Sequence, residues 1–319
     1  MALIAAILPI FAVVALGYLL TPRSTSVRDI SGLNWYVFAF ALPVLLFDAM
    51  GHMELPERIH WTFLVGYFLP TLLLFGSCLI VSMRVFRYNR VQAAVFAMGG
   101  SYSNMVAIGL PVVAAALNQA ALLPLGMLVA VHSAIMFSIT TAFAESGNKP
   151  AGGGIPDGNS SVKSAVVLRT VRGMAHNPIV LGLVAGVVFN RSGLTLPPPV
   201  LSTITLIRGS ALPVALFVTG ASLKQYAVVG HGREVALLIV AKLMLHPLLV
   251  WLLVWLLRLP AAWAAVAVVT AALPTGINAS VFARKYDASV AQVATATLLS
   301  TAISLATLTA VLWFLAGPH

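Results

Sequence analysis

Ala41-Leu42-Pro43-Val44-Leu45-Leu46-Phe47 recurs as Ala211-Leu212-Pro213-Val214-Ala215-Leu216-Phe217, identical at six of seven positions. The recurrence extends outward: Pro9-Ile10 and Gly17 ahead of the first copy are matched by Pro178-Ile179 and Gly186 ahead of the second. A small apolar alphabet produces chance matches. Matches in register across two successive stretches point instead to a duplicated half.

Both copies lie in a chain almost without charge. Of 319 residues, 60% are hydrophobic and 8% charged, against about 25% charged in soluble domains, whose surface must face water. Lipid is therefore the solvent for most of this surface, and the expected fold is an all-α integral membrane protein. Spans of mainly apolar residues are read at 3–20, 31–50, 61–83, 91–117, 121–144, 174–190, 200–223, 234–257, 261–284 and 288–316. The stretch Leu3–Leu20 has no basic residue before it, and Arg23 and Arg28 follow it, which predicts a retained first span rather than a signal peptide.

The cations test that count. Thirteen of 18 fall in alternate breaks: Arg23 and Arg28; Arg84, Arg87 and Arg90; Lys149, Lys163, Arg169 and Arg172; Lys224 and Arg233; Arg284 and Lys285. The opposite breaks hold only Arg58, Arg191 and Arg258, and Arg208 and Lys242 fall inside spans. Lys and Arg collect in cytoplasmic loops, so the expected orientation places both termini on the periplasmic side of the inner membrane. A missed helix would mix the two sets. The net charge of +10 is thereby assigned to membrane orientation, and with no continuous basic domain a nucleic-acid partner is not expected.

A repeat of five spans re-enters the membrane from the opposite side, so the two halves are expected to be inverted. The expected organisation is a first five-helix repeat at 1–145, a cytoplasmic linker at 146–173 containing AGGGIPDGNSS, and a second, inverted five-helix repeat at 174–319. Secondary transporters share this architecture and hold cargo near the midplane between repeats.

The fourth span of each half is interrupted. One reads Gly99-Gly100-Ser101-Tyr102-Ser103-Asn104-Met105-Val106-Ala107-Ile108-Gly109-Leu110-Pro111, the other Ala272-Leu273-Pro274-Thr275-Gly276-Ile277-Asn278-Ala279-Ser280. Proline cannot donate to the carbonyl four residues back, here Ala107 and Thr270, and unwound backbone at membrane depth survives only inside protein or beside a cavity. Ser103, Asn104, Thr275 and Asn278 can supply hydrogen bonds there. The functional reading is a pair of discontinuous helices whose inner N-termini face an anion. The alternative is a pair of tolerated proline kinks, with Asn joining helices.

These residues resemble the auxin efflux carrier family, which includes plant PIN proteins and bacterial malonate-type carriers. Asn104 through Gly109-Leu110-Pro111 is similar to its N-x5/6-G-[IL]-P stretch. Ala272–Ile277 with Val281-Phe282-Ala283-Arg284-Lys285-Tyr286 is similar to its ninth-span signature, and Phe40–Leu45 and Pro213–Leu223 fit its second and seventh spans. The resemblance implies a transport unit of spans three to five and eight to ten. It implies a scaffold of spans one, two, six and seven that can pair two protomers. It further implies a crossing at Pro111 and Pro274, with cargo beside Asn104 and Asn278.

Few charges remain inside the spans. Lys242 is expected either to support the cargo or an alternating-access contact, or to snorkel to the headgroups. His246, one turn on, is a candidate proton carrier or a hydrogen-bonded core histidine, and Asp48 and Glu145 are candidates for coupling or interface residues. No acidic residue lies in span four, which disfavours a sodium site built on carboxylates. Cys78 is the one cysteine, and no HExxH, Ser/His pair or carboxylate pair is present, so neither a cofactor nor an enzyme is expected. The expected function is a carrier for a small organic anion, such as a dicarboxylate (malonate or malate) or an auxin-like carboxylate. The chief alternative is an anion channel. The expected substrate-binding residues are Ser103, Asn104, Pro111, Pro274, Thr275, Gly276, Asn278 and Lys242.

Overall fold

A computed structural model describes residues 2–22, 24–25, 27–55, 59–146, 177–226 and 230–317. Side chains are described from residue 7 onward, except at Val27 and Arg28. The linker 146–173 lies almost wholly outside these residues, as do Arg23, Arg58, Lys149, Lys163, Arg169 and Arg172.

Helices occupy the apolar runs. In chain order they are α1 (Ala2–Leu20), α2 (Val27–Trp35, continuing to His52), α3 (Thr62–Arg84), α4 (Arg90–Ser101, resuming from Met105 to Ala116) and α5 (Leu122–Glu145). Then follow α6 (Pro178–Ser192), α7 (Pro198–Leu223), α8 (Gly232–Val240, continuing to Leu256), α9 (Ala261–Ala272, resuming at Ile277–Lys285) and α10 (Val290–Ala316). Six of the described helices are long and apolar enough to cross a membrane, and four apolar segments are shorter. Two of the short segments, Met105–Ala116 and Ala261–Ala272, are halves of the interrupted α4 and α9. The protein is thus a multi-pass, all-helical membrane protein; among the described residues the sole extended pairing is one isolated bridge.

Local chemistry explains several boundaries. Asn89 and Gln92 form a reciprocal capping box at the start of α4, with bonds of 2.9 and 3.1 Å. Asn177 caps α6 ahead of Pro178, and Gly193 closes that helix at φ 66°. Prolines inside the rods act differently. Pro43, Pro111 and Pro247 each follow a π-helical turn, at Tyr36–Ala41, Met105–Gly109 and Ala241–Leu245. A wider turn lets the missing N–H and the ring pass without the clash they cause in a regular helix. Pro111 therefore lies within the resumed part of α4, not at its break.

The helices sort into two packed groups. In one, α1 lies against α7, α2 against α6, and α2 also meets α7. In the other, α3, α4 and α5 pack with α8, α9 and α10. Two close crossings in the first group mirror each other. A Cβ placed on Gly17 of α1 would overlap the Phe217 carbonyl of α7, and one on Gly186 of α6 would overlap the Phe47 carbonyl of α2. Gly17 pairs with Gly186, and Phe47 with Phe217, in the sequence recurrence. The same contact is made twice, each half supplying what the other receives.

Candidate functional site

The interruptions of α4 and α9 meet. Tyr102–Asn104 and Leu273–Gly276 run as short antiparallel segments, joined by Asn104 N–H to Pro274 O (3.0 Å) and Gly276 N–H to Tyr102 O (2.9 Å). Each break thereby satisfies backbone groups of the other, which is what lipid depth requires. The remaining groups find side chains. The Ser103 N–H donates to His132 Nε2 (3.2 Å), and the Thr275 N–H to Ser300 Oγ (3.2 Å). Gly276 allows the approach, since a Cβ there would stand 2.5 Å from the Tyr102 ring.

The outer halves of both helices end at the crossing with carbonyls exposed to no water, and each is capped. Thr275 Oγ1 donates to Gly99 O (2.9 Å) in α4, and Lys242 Nζ donates to Ala271 O (2.6 Å) in α9. Lys242 is fully buried, which sets snorkelling aside. Its Nζ lies at the carbonyl end of the first half of α9.

Lys242 Nζ also lies within hydrogen-bond distance of His246 Nδ1 (3.1 Å). His246 then donates from Nε2 to Thr71 Oγ1 (2.9 Å), whose hydroxyl donates to Tyr67 O (2.7 Å). Every member of this chain has a hydrogen-bond partner, and His246 is fully buried.

On one side of the crossing lies a cavity of about 690 Å³. Its floor is Tyr102, Ser103, Asn104 and Asn278, and His132 and Ser133 of α5 flank it. Its rim is formed by Asn34, Asn177, Gln225, Tyr226 and Arg284. These rim residues sit at the helix ends that carry the Lys/Arg-rich connections, so the cavity reaches toward the cation-rich face. A smaller pocket of about 310 Å³, lined by Met53, Glu54, Asn118 and Trp263 among others, lies at the opposite helix ends. First-turn residues of both inner half-helices, Met105 and Val106 in α4 and Ile277 and Asn278 in α9, line the larger cavity.

The expected site residues divide accordingly. Ser103, Asn104 and Asn278 share the cavity wall. Pro274, Thr275 and Gly276 are buried in the crossing beneath it. Pro111, Lys242, His246 and Asp48 do not line it. Pro111 is eight residues from Ser103 and buried in the resumed helix, so the crossing lies at Ser103 and Thr275, rather than at Pro111 and Pro274. Asp48 belongs to the other helix group, with its carboxylate bonded to Arg208 of α7 and 3.3 Å from His52 Nδ1. That pair accounts for Arg208 as well.

Several wall residues escaped the sequence reading. Asn278 Nδ2 donates to Tyr102 OH (3.0 Å), and the Tyr102 and Ser133 hydroxyls share a hydrogen bond (2.8 Å). Tyr102 stacks on His132, ring centroids 4.6 Å apart. The signal for His132 was available: a histidine midway along the apolar run Leu122–Phe143. Arg284, counted only as an orienting cation, lies 5.1 Å over the Tyr226 ring on the rim.

A family model described as "Membrane transport protein" matches residues 2–313. A protein of Rhizobium meliloti (strain 1021), described as "Putative malonate transporter", is 27% identical over 315 residues, spanning 97% of this chain and 94% of that protein. With a family match over almost its whole length, the chain belongs to the membrane transport protein family, that of the auxin efflux carriers.

Proposed function

We propose that the protein is a carrier for a small organic anion, working by alternating access across the inner membrane. The observation that carries the reading is the cavity at the crossing, where the N-terminal turns of two half-helices line one wall. Helix N-termini present N–H groups and a positive dipole end to an anion. The relative's printed description suggests malonate, so a dicarboxylate of three or four carbons, such as malonate or malate, is the proposed cargo. Asn104, Asn278 and Ser103 contact it, while Pro274, Thr275 and Gly276 hold the crossing and Pro111 lets α4 resume beneath it.

The ten helices are read as two inverted repeats, 1–145 and 174–319, joined by the cytoplasmic linker 146–173, with both termini periplasmic. The reciprocal contacts Gly17–Phe217 and Gly186–Phe47 support the inversion, and the segregated cations support the orientation. In that orientation the cavity faces the cytoplasm. The six-helix group moves against the four-helix group, whose exposed apolar residues, such as Leu16, Leu20 and Leu206, suit lipid or a second protomer.

Counterflow in proteoliposomes tests this reading. Saturable uptake of labelled malonate, accelerated by unlabelled malonate inside, is expected. Flux that neither saturates nor shows counterflow identifies a channel instead.

Lys242 bears on coupling. Half-helix C-termini and unwound carbonyls bind sodium or protons in many carriers; here the Ala271 carbonyl already holds the Lys242 ammonium (2.6 Å). Transport is therefore expected to be unchanged when choline replaces sodium. An anion leaving a negative-inside cell gains about 2.3 kcal/mol per charge per 100 mV without any coupling ion. Lys242→Met should leave the protein in the membrane and lower its transport rate about tenfold, the worth of one charge-assisted bond. A sodium-dependent rate in the unaltered protein would overturn this assignment.

A further inference from the structure

Two polar side-chain atoms on the cavity-lining residues have no hydrogen-bond partner in the protein: Asn104 Nδ2 and His132 Nδ1. Both residues are deeply buried, Asn104 7% exposed and His132 1%. A buried polar atom left unpaired costs about 1–3 kcal/mol, so such an atom just behind a cavity wall calls for an explanation.

His132 settles the polarity. Its Nε2 lies 3.2 Å from the Ser103 backbone nitrogen, and that N–H can only donate. Nε2 must therefore be the unprotonated nitrogen, and in the neutral ring the proton sits on Nδ1. The unpaired atom is a donor. Nothing else on the wall can reverse this, because a proton on Nε2 would oppose the Ser103 N–H at the crossing itself. The ring is held in place by stacking on Tyr102 at 4.6 Å and by edge contacts with Tyr67 at 5.8 Å. Asn104 is equally fixed through its backbone, with its N–H on Pro274 O and its carbonyl accepting from Gly109 N–H at 3.0 Å each. Only its side-chain amide is uncommitted.

The His132 donor lies just behind the cavity wall, closed to solvent until the wall opens, and lacks only an acceptor; the Asn104 amide beside the same cavity can turn its NH2 toward one. We infer that His132 is a substrate-binding residue: its Nδ1–H, together with the Asn104 amide, donates to a carboxylate of the cargo. This rests on the proposed site at the crossing and adds to it a residue and a polarity. The backbone bond at Ser103 is what sets the tautomer, so the crossing that interrupts α4 also prepares its neighbour to receive an anion. A neutral donor pair suits reversible binding, since a buried fixed cation would hold an anion too strongly to release it.

The experiment is ligand binding by thermal shift and calorimetry on the purified full chain, using malonate, its neutral diamide, and inorganic phosphate. Malonate should stabilise the protein, and the diamide and phosphate should not. His132→Gln retains an acceptor oxygen for the Ser103 N–H but removes the Nδ1 donor. It should weaken malonate binding about tenfold to a hundredfold, the range for one bond to a charged group, with the unliganded melting temperature within a few degrees of the parent. Nitrogen NMR on histidine-labelled protein should report a proton on His132 Nδ1 that shifts on adding malonate. Asn278→Ala separates the two levels of the argument. If it abolishes binding while His132→Gln binds normally, the His132 donor is overturned and the site stands. If both variants bind normally, the site itself is overturned. Stabilisation by phosphate or the diamide equal to that by malonate would overturn the carboxylate assignment.

Discussion

Asn104→Ala and Asn278→Ala are each expected to cut uptake by about a hundredfold or more, with normal amounts of protein in the membrane. Asn278 stands at the start of the inner half of α9 and donates to Tyr102 OH, which continues to Ser133. Its loss frees the Tyr102 ring that covers His132 and removes a polar group from the cavity wall. Asn104 contributes its amide to the same wall, while its backbone closes the bridge to Pro274. The alanine variant keeps that backbone pairing, so folding should survive where binding does not. Each lost bond to a charged group is worth about 1.5–3 kcal/mol, or roughly ten- to more than a hundredfold. Uptake into proteoliposomes, normalised to reconstituted protein, measures it. Normal transport by both variants would remove the cargo from the crossing.

A second large effect is expected far from the cavity. Gly17→Val and Gly186→Val should each strongly destabilise the protein, because the new side chain meets a backbone carbonyl of α7 or α2 that cannot swing aside. Overpacking that forces backbone shifts costs about 1–3 kcal/mol or more, and in lipid close helix approach through small residues is itself a main source of attraction. Fluorescence-detected size exclusion after heating reads the loss. Similar losses in the two variants would agree with one contact used twice. A large loss in one and none in the other would argue that the mirrored crossings are not equivalent.

Much of the fold was legible because lipid simplifies the rules. Where backbone groups have no water to bond, an apolar run of sufficient length must be helical, so helices fall wherever such runs occur, with α4 and α6 starting after Asn89 and Asn177 and α6 ending at Gly193. The prolines show where local reading stopped short. Pro111 looked like the breaking residue of α4, yet a π turn absorbs it, and the chain opens earlier, at Tyr102–Asn104. Pairing with Pro274 and Gly276 decides that position. No property of 99–111 alone contains it.

The candidate site divides in the same way. Ser103, Asn104 and Asn278 were identifiable as polar groups beside Gly and Pro at membrane depth. His132 could have been found by the same criterion, and was hidden only because its helix is unbroken. Lys242 was recognisable as exceptional but not as a helix cap, since its partner, Ala271, lies 29 residues away. Asp48 was ambiguous for a similar reason: Arg208, which bonds it, is 160 residues distant.

The sequence by itself determined the membrane solvent, the helical runs, the segregation of the cations into alternate breaks, the recurrence of one half in the other and the two interruptions. All of these follow from composition and short-range pattern, because each turns on whether a residue and its near neighbours tolerate hydrocarbon. The tertiary structure alone decided how the two interruptions satisfy each other, which charges turn inward, and that His132 keeps an unpaired donor near the cavity. Those outcomes depend on which groups meet across 29 to 176 residues of chain, and a polar atom in lipid takes its chemistry from the partner it meets.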